Sequence, residues 1–173
     1  MKHTYTLFYF CLFFLLFSCK SKSVEKLDAI EQSGKLELDT SKYALITFDT
    51  AMCFPYYTVA KVFPNSSRVA TISNSELIEL EKLLQLSVFD FNKHVKENNL
   101  PYDSINLSNY RIQLVVTINN SGEKEIFVNC FCSTEEDWEN HLVKVLDGGE
   151  CFFNVRINLS TNKYYEFSVN SLA

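Results

Sequence analysis

The sequence predicts an α+β domain: one long amphipathic helix packed on an antiparallel meander sheet of about five strands, with a short N-terminal β segment. Three observations predict it. Leu77, Leu80, Leu84, Val88, Phe91 and Val95 recur at spacings of three and four, which places them on one stripe of a helix. From residue 110 onward the apolar period changes to two, the mark of strands with two distinct faces. Turn residues punctuate those alternating runs, so the order is one helix followed by a run of short strands.

Taken from the start, Lys2 and His3 precede an unbroken apolar run over 7–17. The run suits the hydrophobic part of an export leader and is too short for a spanning helix, which needs about 20 residues. Leu16-Phe17-Ser18-Cys19 closes it. This resembles the lipobox of bacterial lipoproteins: an aliphatic residue, a loose position, a small residue, then cysteine. The resemblance implies cleavage between Ser18 and Cys19, a diacylglyceryl group on the Cys19 thiol and palmitate-type acylation there. Two or three acyl chains hold a protein firmly where one holds it only marginally. Residues 1–18 are then a signal peptide, 19–42 a lipidated cysteine and polar tether, and 43–173 a single domain. Lys20 follows the cysteine where an inner-membrane protein of this kind often carries Asp, and no acidic run follows it. The resemblance therefore implies an outer-membrane protein facing the periplasm.

The β-formers at 43–48 predict a strand, 56–63 a second, closed by Pro64-Asn65-Ser66-Ser67, and 69–72 a short third. Ser73 and Glu76 have the spacing of a reciprocal capping box and open the main helix. Glu79, Glu81, Lys82, Lys93 and Lys96 lie mostly off its stripe, and the helix should end near Asn98-Asn99, before Pro101. Ile112, Leu114, Val116 and Ile118 then share a strand face opposite Arg111, Gln113 and Thr117. Asn119-Asn120-Ser121-Gly122 predicts a hairpin. Ile126, Val128, Cys130 and Cys132 alternate with Phe127, Asn129 and Phe131. A loop or single helical turn carries Trp138, and 141–146 predicts another strand. Asp147-Gly148-Gly149-Glu150 is a turn. Cys151, Phe153, Val155 and Ile157 alternate with Phe152, Asn154, Arg156 and Asn158. A last strand places Tyr165, Phe167 and Val169 opposite Tyr164, Glu166 and Ser168.

This helix-then-sheet layout resembles cystatin-like or NTF2-like folds. The stretches around Asp147-Gly148-Gly149, Cys151–Leu159 and Tyr164–Asn170 also resemble the C-terminal half of small lipoproteins common in Bacteroidota, a family that lends no catalytic residue.

The chain has 16 Lys+Arg against 21 Asp+Glu, a net charge of −5, and no basic block. Nucleic acid is therefore not an expected partner. In the exported body Cys53, Cys130, Cys132 and Cys151 remain, and four cysteines allow three pairings that sequence cannot choose among. Cross-strand disulfides involving Cys151 or Cys53 compete with buried free thiols. Cys130, Cys132, Cys151 and His141 could form a zinc or thiol site, although two ligands on one extended strand lie far apart for a single ion. No nucleophile–base set, carboxylate pair or phosphate loop stands out, and no cofactor is expected.

The sheet face opposite the predicted core carries Arg111, Gln113, Phe127, Asn129, Phe131, Lys144, Phe152, Asn154, Arg156, Tyr164 and Glu166. Aromatics among amides and guanidinium groups fit a recognition surface, unless the N-terminal strands cover it. The expectation is a lipid-anchored, non-catalytic binding or interaction module, with an envelope protein or a small ligand as its partner. The alternative is a small envelope enzyme or metal/thiol protein using Cys130, Cys132, His141 and Cys151.

Overall fold

In a computed structural model of the chain, the residues described are 39–47 and 66–172. The lipobox at 16–19, most of the tether, the strand expected over 56–63 and Cys53 lie outside them. The described residues form one α-helix on a mixed sheet of six strands: β1 (Tyr43–Leu45), β2 (Ser66–Val69), α1 (Asn74–Asn98), β3 (Arg111–Asn119), β4 (Lys124–Phe131), β5 (Phe152–Asn158) and β6 (Lys163–Val169). Among the described residues no helix is long and apolar enough to cross a membrane.

α1 starts where Ser73 and Glu76 cap each other. The Glu76 amide donates to Ser73 Oγ (3.3 Å) and the Ser73 amide donates to Glu76 Oε2 (2.8 Å). It ends at Asn99, whose N–H still bonds the Val95 carbonyl and whose left-handed backbone (φ 50°) turns the Leu100 N–H back to the same carbonyl (3.1 Å). Asparagine tolerates that region better than most residues. The stripe is interior: Leu77, Leu80, Leu84, Val88 and Val95 are buried and Phe91 is half-buried. It packs on Ile112, Leu114 and Val116 of β3, Ile126, Val128 and Cys130 of β4, and Phe153, Val155 and Ile157 of β5. Each such side chain contributes about 1.5–3 kcal/mol by leaving water. A line of rings, Phe91–Phe167–Phe153–Tyr110, continues the core with centroid spacings of 5.0, 5.1 and 5.4 Å.

Glu76 also ties α1 to the β3–β4 hairpin, accepting from Lys124 Nζ at 2.5 Å. Lys124 and the Ser73 amide hold the Glu76 carboxyl at about 2, below its ordinary 4.5. A carboxyl lowered on folding stabilises above its unfolded value and loses that contribution as pH falls toward the folded one. Glu76→Gln is therefore expected to cost about 1 kcal/mol near neutrality. In urea unfolding that difference should shrink as pH is taken from about 4.5 toward about 2. A difference that stays constant with pH would show that the carboxylate's charge does not matter.

β3 to β6 form an antiparallel meander in sequence order. The outer edge of β3 is shared. β1 pairs with its first half in parallel (Tyr43↔Ile112, Leu45↔Leu114), and β2 pairs with its second half antiparallel (Val69↔Thr117). The meander is antiparallel as expected, and the N-terminal β segment makes the sheet mixed because β1 joins β3 in parallel. β1 is shorter than the expected strand, although the Ile46 amide still donates to the Leu114 carbonyl (2.9 Å). The short strand expected over 69–72 is displaced to Ser66–Val69.

Residues 141–146 are not a strand. Side-chain amides, not a ladder, partner their backbone. Gln113 Oε1 accepts from the Val143 amide (2.8 Å), Asn129 Nδ2 donates to the Val143 carbonyl (2.8 Å), and Asn170 Nδ2 donates to the Val145 carbonyl (2.5 Å). The segment lies across the second sheet face and needs no strand neighbour.

In β6 the simple alternation fails. Arg156 pairs with Tyr165 and Ile157 with Tyr164, and the register shifts beyond them, with Glu166 in left-handed backbone (φ 52°). This is a β-bulge: one extra residue on one strand, which switches the faces of the side chains on either side of it. Tyr164 therefore joins the core side with Phe167 and Val169, and its hydroxyl donates to Asp90 Oδ2 of α1 (2.5 Å). Tyr165 takes the other side and donates to Glu125 Oε1 (2.8 Å).

Candidate functional site

The expected recognition face is largely occupied by the protein itself. Gln113, Phe127, Phe131 and Arg156 are buried, so at those positions the expectation of an open surface is corrected. Gln113 Nε2 donates to the carbonyls of Trp138 (2.5 Å) and His141 (2.6 Å), and Asn129 Nδ2 donates to Gln113 Oε1 (2.9 Å). The Trp138 ring packs edge-on against Phe131, with Arg111 5.3 Å above its ring. Arg156 Nε donates to Glu166 Oε2 (2.5 Å). Phe152, Asn154 and Lys144 are half-buried. The space left between Asn129, Phe152, Asn154 and the 143–145 segment is about 10 Å³, room for one water at most. Tyr164 is not on this face at all. Gln113, Asn129 and Phe131, which read as part of a ligand surface, line the inner side of a folded-over loop.

The residues of the metal or thiol alternative divide in the same region. Cys132 and Cys151 form a disulfide, and Cys130 is a buried free thiol. Burial, and then the nearby charge of Glu81, push the Cys130 thiol well above its ordinary range, so it is held in the unreactive protonated form. His141 is exposed with Nδ1 2.5 Å from Asp137 Oδ2. Among the described residues no group of three or more metal-ligating side chains is brought together.

A different place has the geometry of a binding site. A cleft of about 500 Å³ runs along α1, between Glu81, Gln85, Val88, Phe89 and Asn92 on the helix and two short segments facing it. One is the 3-10 turn Thr40–Lys42 leading into Tyr43. This turn lies inside the stretch expected to be tether, yet it belongs to the folded unit. The other is the loop around Ile105–Ser108, and Ile112 of β3 closes the end. The size falls within the ordinary range of small-molecule pockets.

Local bonds hold both walls. Asn92 clamps the backbone of Ile105 from both sides: its Oδ1 accepts the Ile105 amide and its Nδ2 donates to the Ile105 carbonyl, each at 2.8 Å. Asp39 caps the first turn, accepting from the amide and hydroxyl of Ser41 (3.2 and 2.6 Å). Lys42 Nζ donates to the Ser108 carbonyl at 3.0 Å, joining the two facing segments across the mouth.

Glu81 is the polar centre of this cleft. Tyr43 Oη donates to its Oε2, and Gln85 Nε2, one helical turn on, donates to its Oε1 at 3.2 Å. Both donors are neutral. Burial raises the Glu81 carboxyl above its ordinary value, against the smaller lowering effects of Gln85 and Lys42. Perturbed acids in concave sites are where binding and catalysis are commonly found. The wall offers a hydrogen-bond and charge anchor, with the Tyr43 hydroxyl committed to Glu81.

A second hollow, of about 410 Å³, lies between the start of α1 and the hairpin; of its charged groups Glu76 pairs with Lys124, and Glu79 pairs with Lys82 of the same helix.

None of the cleft residues was among the expected site residues. Glu81 reads as a solvated residue because it sits beside the stripe, but it is only one helical step from Leu80 and three from Leu84. That adjacency was the available signal. No family model, curated protein or solved structure matches the chain, so what the domain does rests on its own geometry.

Proposed function

We propose that the chain is a lipid-anchored envelope protein, held to the membrane by acyl chains on Cys19, whose domain binds a small ligand in the α1 cleft without transforming it. The carrying observation is the 500 Å³ cleft with a carboxylate anchored in its wall by Tyr43 and Gln85. The address rests on the lipobox resemblance, which implies an outer-membrane protein facing the periplasm. The metal or thiol alternative has no observation in its favour once Cys132 and Cys151 are joined.

Two measurements test the two halves. Cells fed labelled palmitate are expected to label the wild-type chain and not Cys19→Ser; equal labelling, or none in either, removes the anchor. Native mass spectrometry of the chain purified from membranes is expected to show a bound small molecule that Gln85→Trp, which fills the cleft, does not retain. A bound molecule kept equally by Gln85→Trp, or no bound molecule at all, counts against the cleft.

A further inference from the structure

We infer that the cleft takes a small organic monocation, a primary ammonium group on an apolar body, with Glu81 as its anchor. This deepens the proposed function and rests on the cleft being the binding site.

The charge balance comes first. The lining holds two carboxylates, Asp39 and Glu81, and one ammonium, Lys42. A ligand with a single positive charge completes that balance, and one with a negative charge opposes it. The arrangement within the cleft sharpens this. Asp39 is exposed and engaged by Ser41, while Lys42 is turned to the Ser108 carbonyl across the mouth. Glu81 is the group set into the wall, and its two contacts, Tyr43 and Gln85, come from neutral donors. A carboxylate removed from water without a cation in contact is costly. Each of its oxygens has accepted one hydrogen bond and keeps capacity for another. An ammonium brings the missing charge and up to three donors. Charge-assisted bonds of this kind are about twice as strong as neutral ones.

The remainder of the wall sets the body of the ligand. Val88, Phe89, Ile105, Leu107 and Ile112 are apolar, so a methylene chain or a ring gains by lying along them. A bare metal ion would not use that surface. The combination of one anchoring carboxylate with an apolar trough fits an amine of modest size.

The test uses three probes of matched shape: phenethylammonium, phenethyl alcohol and hydrocinnamate. They are titrated into the isotope-labelled full chain carrying Cys19→Ser, and the side-chain amide signals of Gln85 and Asn92 are followed. Only the ammonium probe is expected to saturate those signals. Glu81→Gln is expected to weaken its binding by about tenfold, the effect of one charge-assisted contact, and the solvent-side control Glu79→Gln to leave it unchanged. A second readout needs no variant. Glu81 is faced by Asp39, Lys42, Tyr43 and Gln85 around the cleft and by Cys130 from β4. Of these only Asp39 and Glu81 change charge in acid, and Ser41 holds Asp39 below the usual carboxylate range. Ammonium affinity is therefore expected to fall as pH drops through the raised value of Glu81, before Asp39 titrates.

Equal binding of the alcohol or the carboxylate, or ammonium binding that ignores both Glu81→Gln and pH, overturns the ligand class and leaves the cleft standing. Silence of the Gln85 and Asn92 signals with all three probes overturns the class and the cleft together.

Discussion

Gln113→Leu is expected to lower the free energy of unfolding by about 3 kcal/mol, although it replaces a polar residue in the interior with an apolar one of similar size. Apolar substitution of a buried amide is close to neutral only when the partners are removed with it. Here the partners remain. The carbonyls of Trp138 and His141 lose their donor, the Val143 amide loses its acceptor, and Asn129 Nδ2 loses one of two acceptors. Each such group left dry costs about 1–3 kcal/mol. The loop can recover part of that by lifting toward water, which keeps the total near the lower end of the sum. Urea unfolding gives the magnitude. Hydrogen exchange at the Val143 amide gives the mechanism, because that proton should lose its protection while those of β3 and β4 keep theirs. Unchanged stability together with an unchanged Val143 would mean that the loop is held by something other than this side chain.

The same residue shows why the cover of the second sheet face has no local sequence signal. Alternation places Gln113, Asn129, Phe127 and Phe131 on one side of the sheet, a side that sequence leaves open to a partner or to cover by the N-terminal strands. The partner of its amides is this chain, some 25–30 residues further on. No local pattern announces that contact. The segment at 141–146 has the residue types of a strand, and whether it pairs with a ladder or with side chains is decided by what lies beneath it. What was legible was local. The stripe from Leu77 to Val95, the cap formed by Ser73 and Glu76, and the hairpin turn ending at Gly122 each depend on neighbours within a few positions. What was not legible was long-range or conformational. β1 finds β3 in parallel across 69 positions, and the left-handed Glu166 reverses the faces of Tyr164 and Tyr165. The cleft belongs to the second kind. Glu81 leaves water where the chain before and within β1 brings Tyr43 onto it, a contact 38 positions away in sequence.

Loss of the Cys132–Cys151 disulfide is expected to cost about as much as Gln113→Leu, and the two losses should not add. The bridge spans 19 positions. Closing a loop of that length in the unfolded chain is worth about 3 kcal/mol by chain entropy. The double replacement Cys132→Ser/Cys151→Ser, or full reduction of the wild type, should lower the unfolding free energy by that amount. The segment between these cysteines is the one that Gln113 pins, so each restraint is worth most while the other keeps the loop on the sheet. With Gln113→Leu in place, the loop is already looser in the folded protein, and the bridge then restricts the folded and unfolded states more equally. A double-mutant cycle is therefore expected to give a combined loss about 1 kcal/mol smaller than the sum of the separate ones. Strict additivity would mean that bridge and amide hold independent structures. A disulfide-free protein as stable as the wild type would mean that the chain gains nothing from closing this loop.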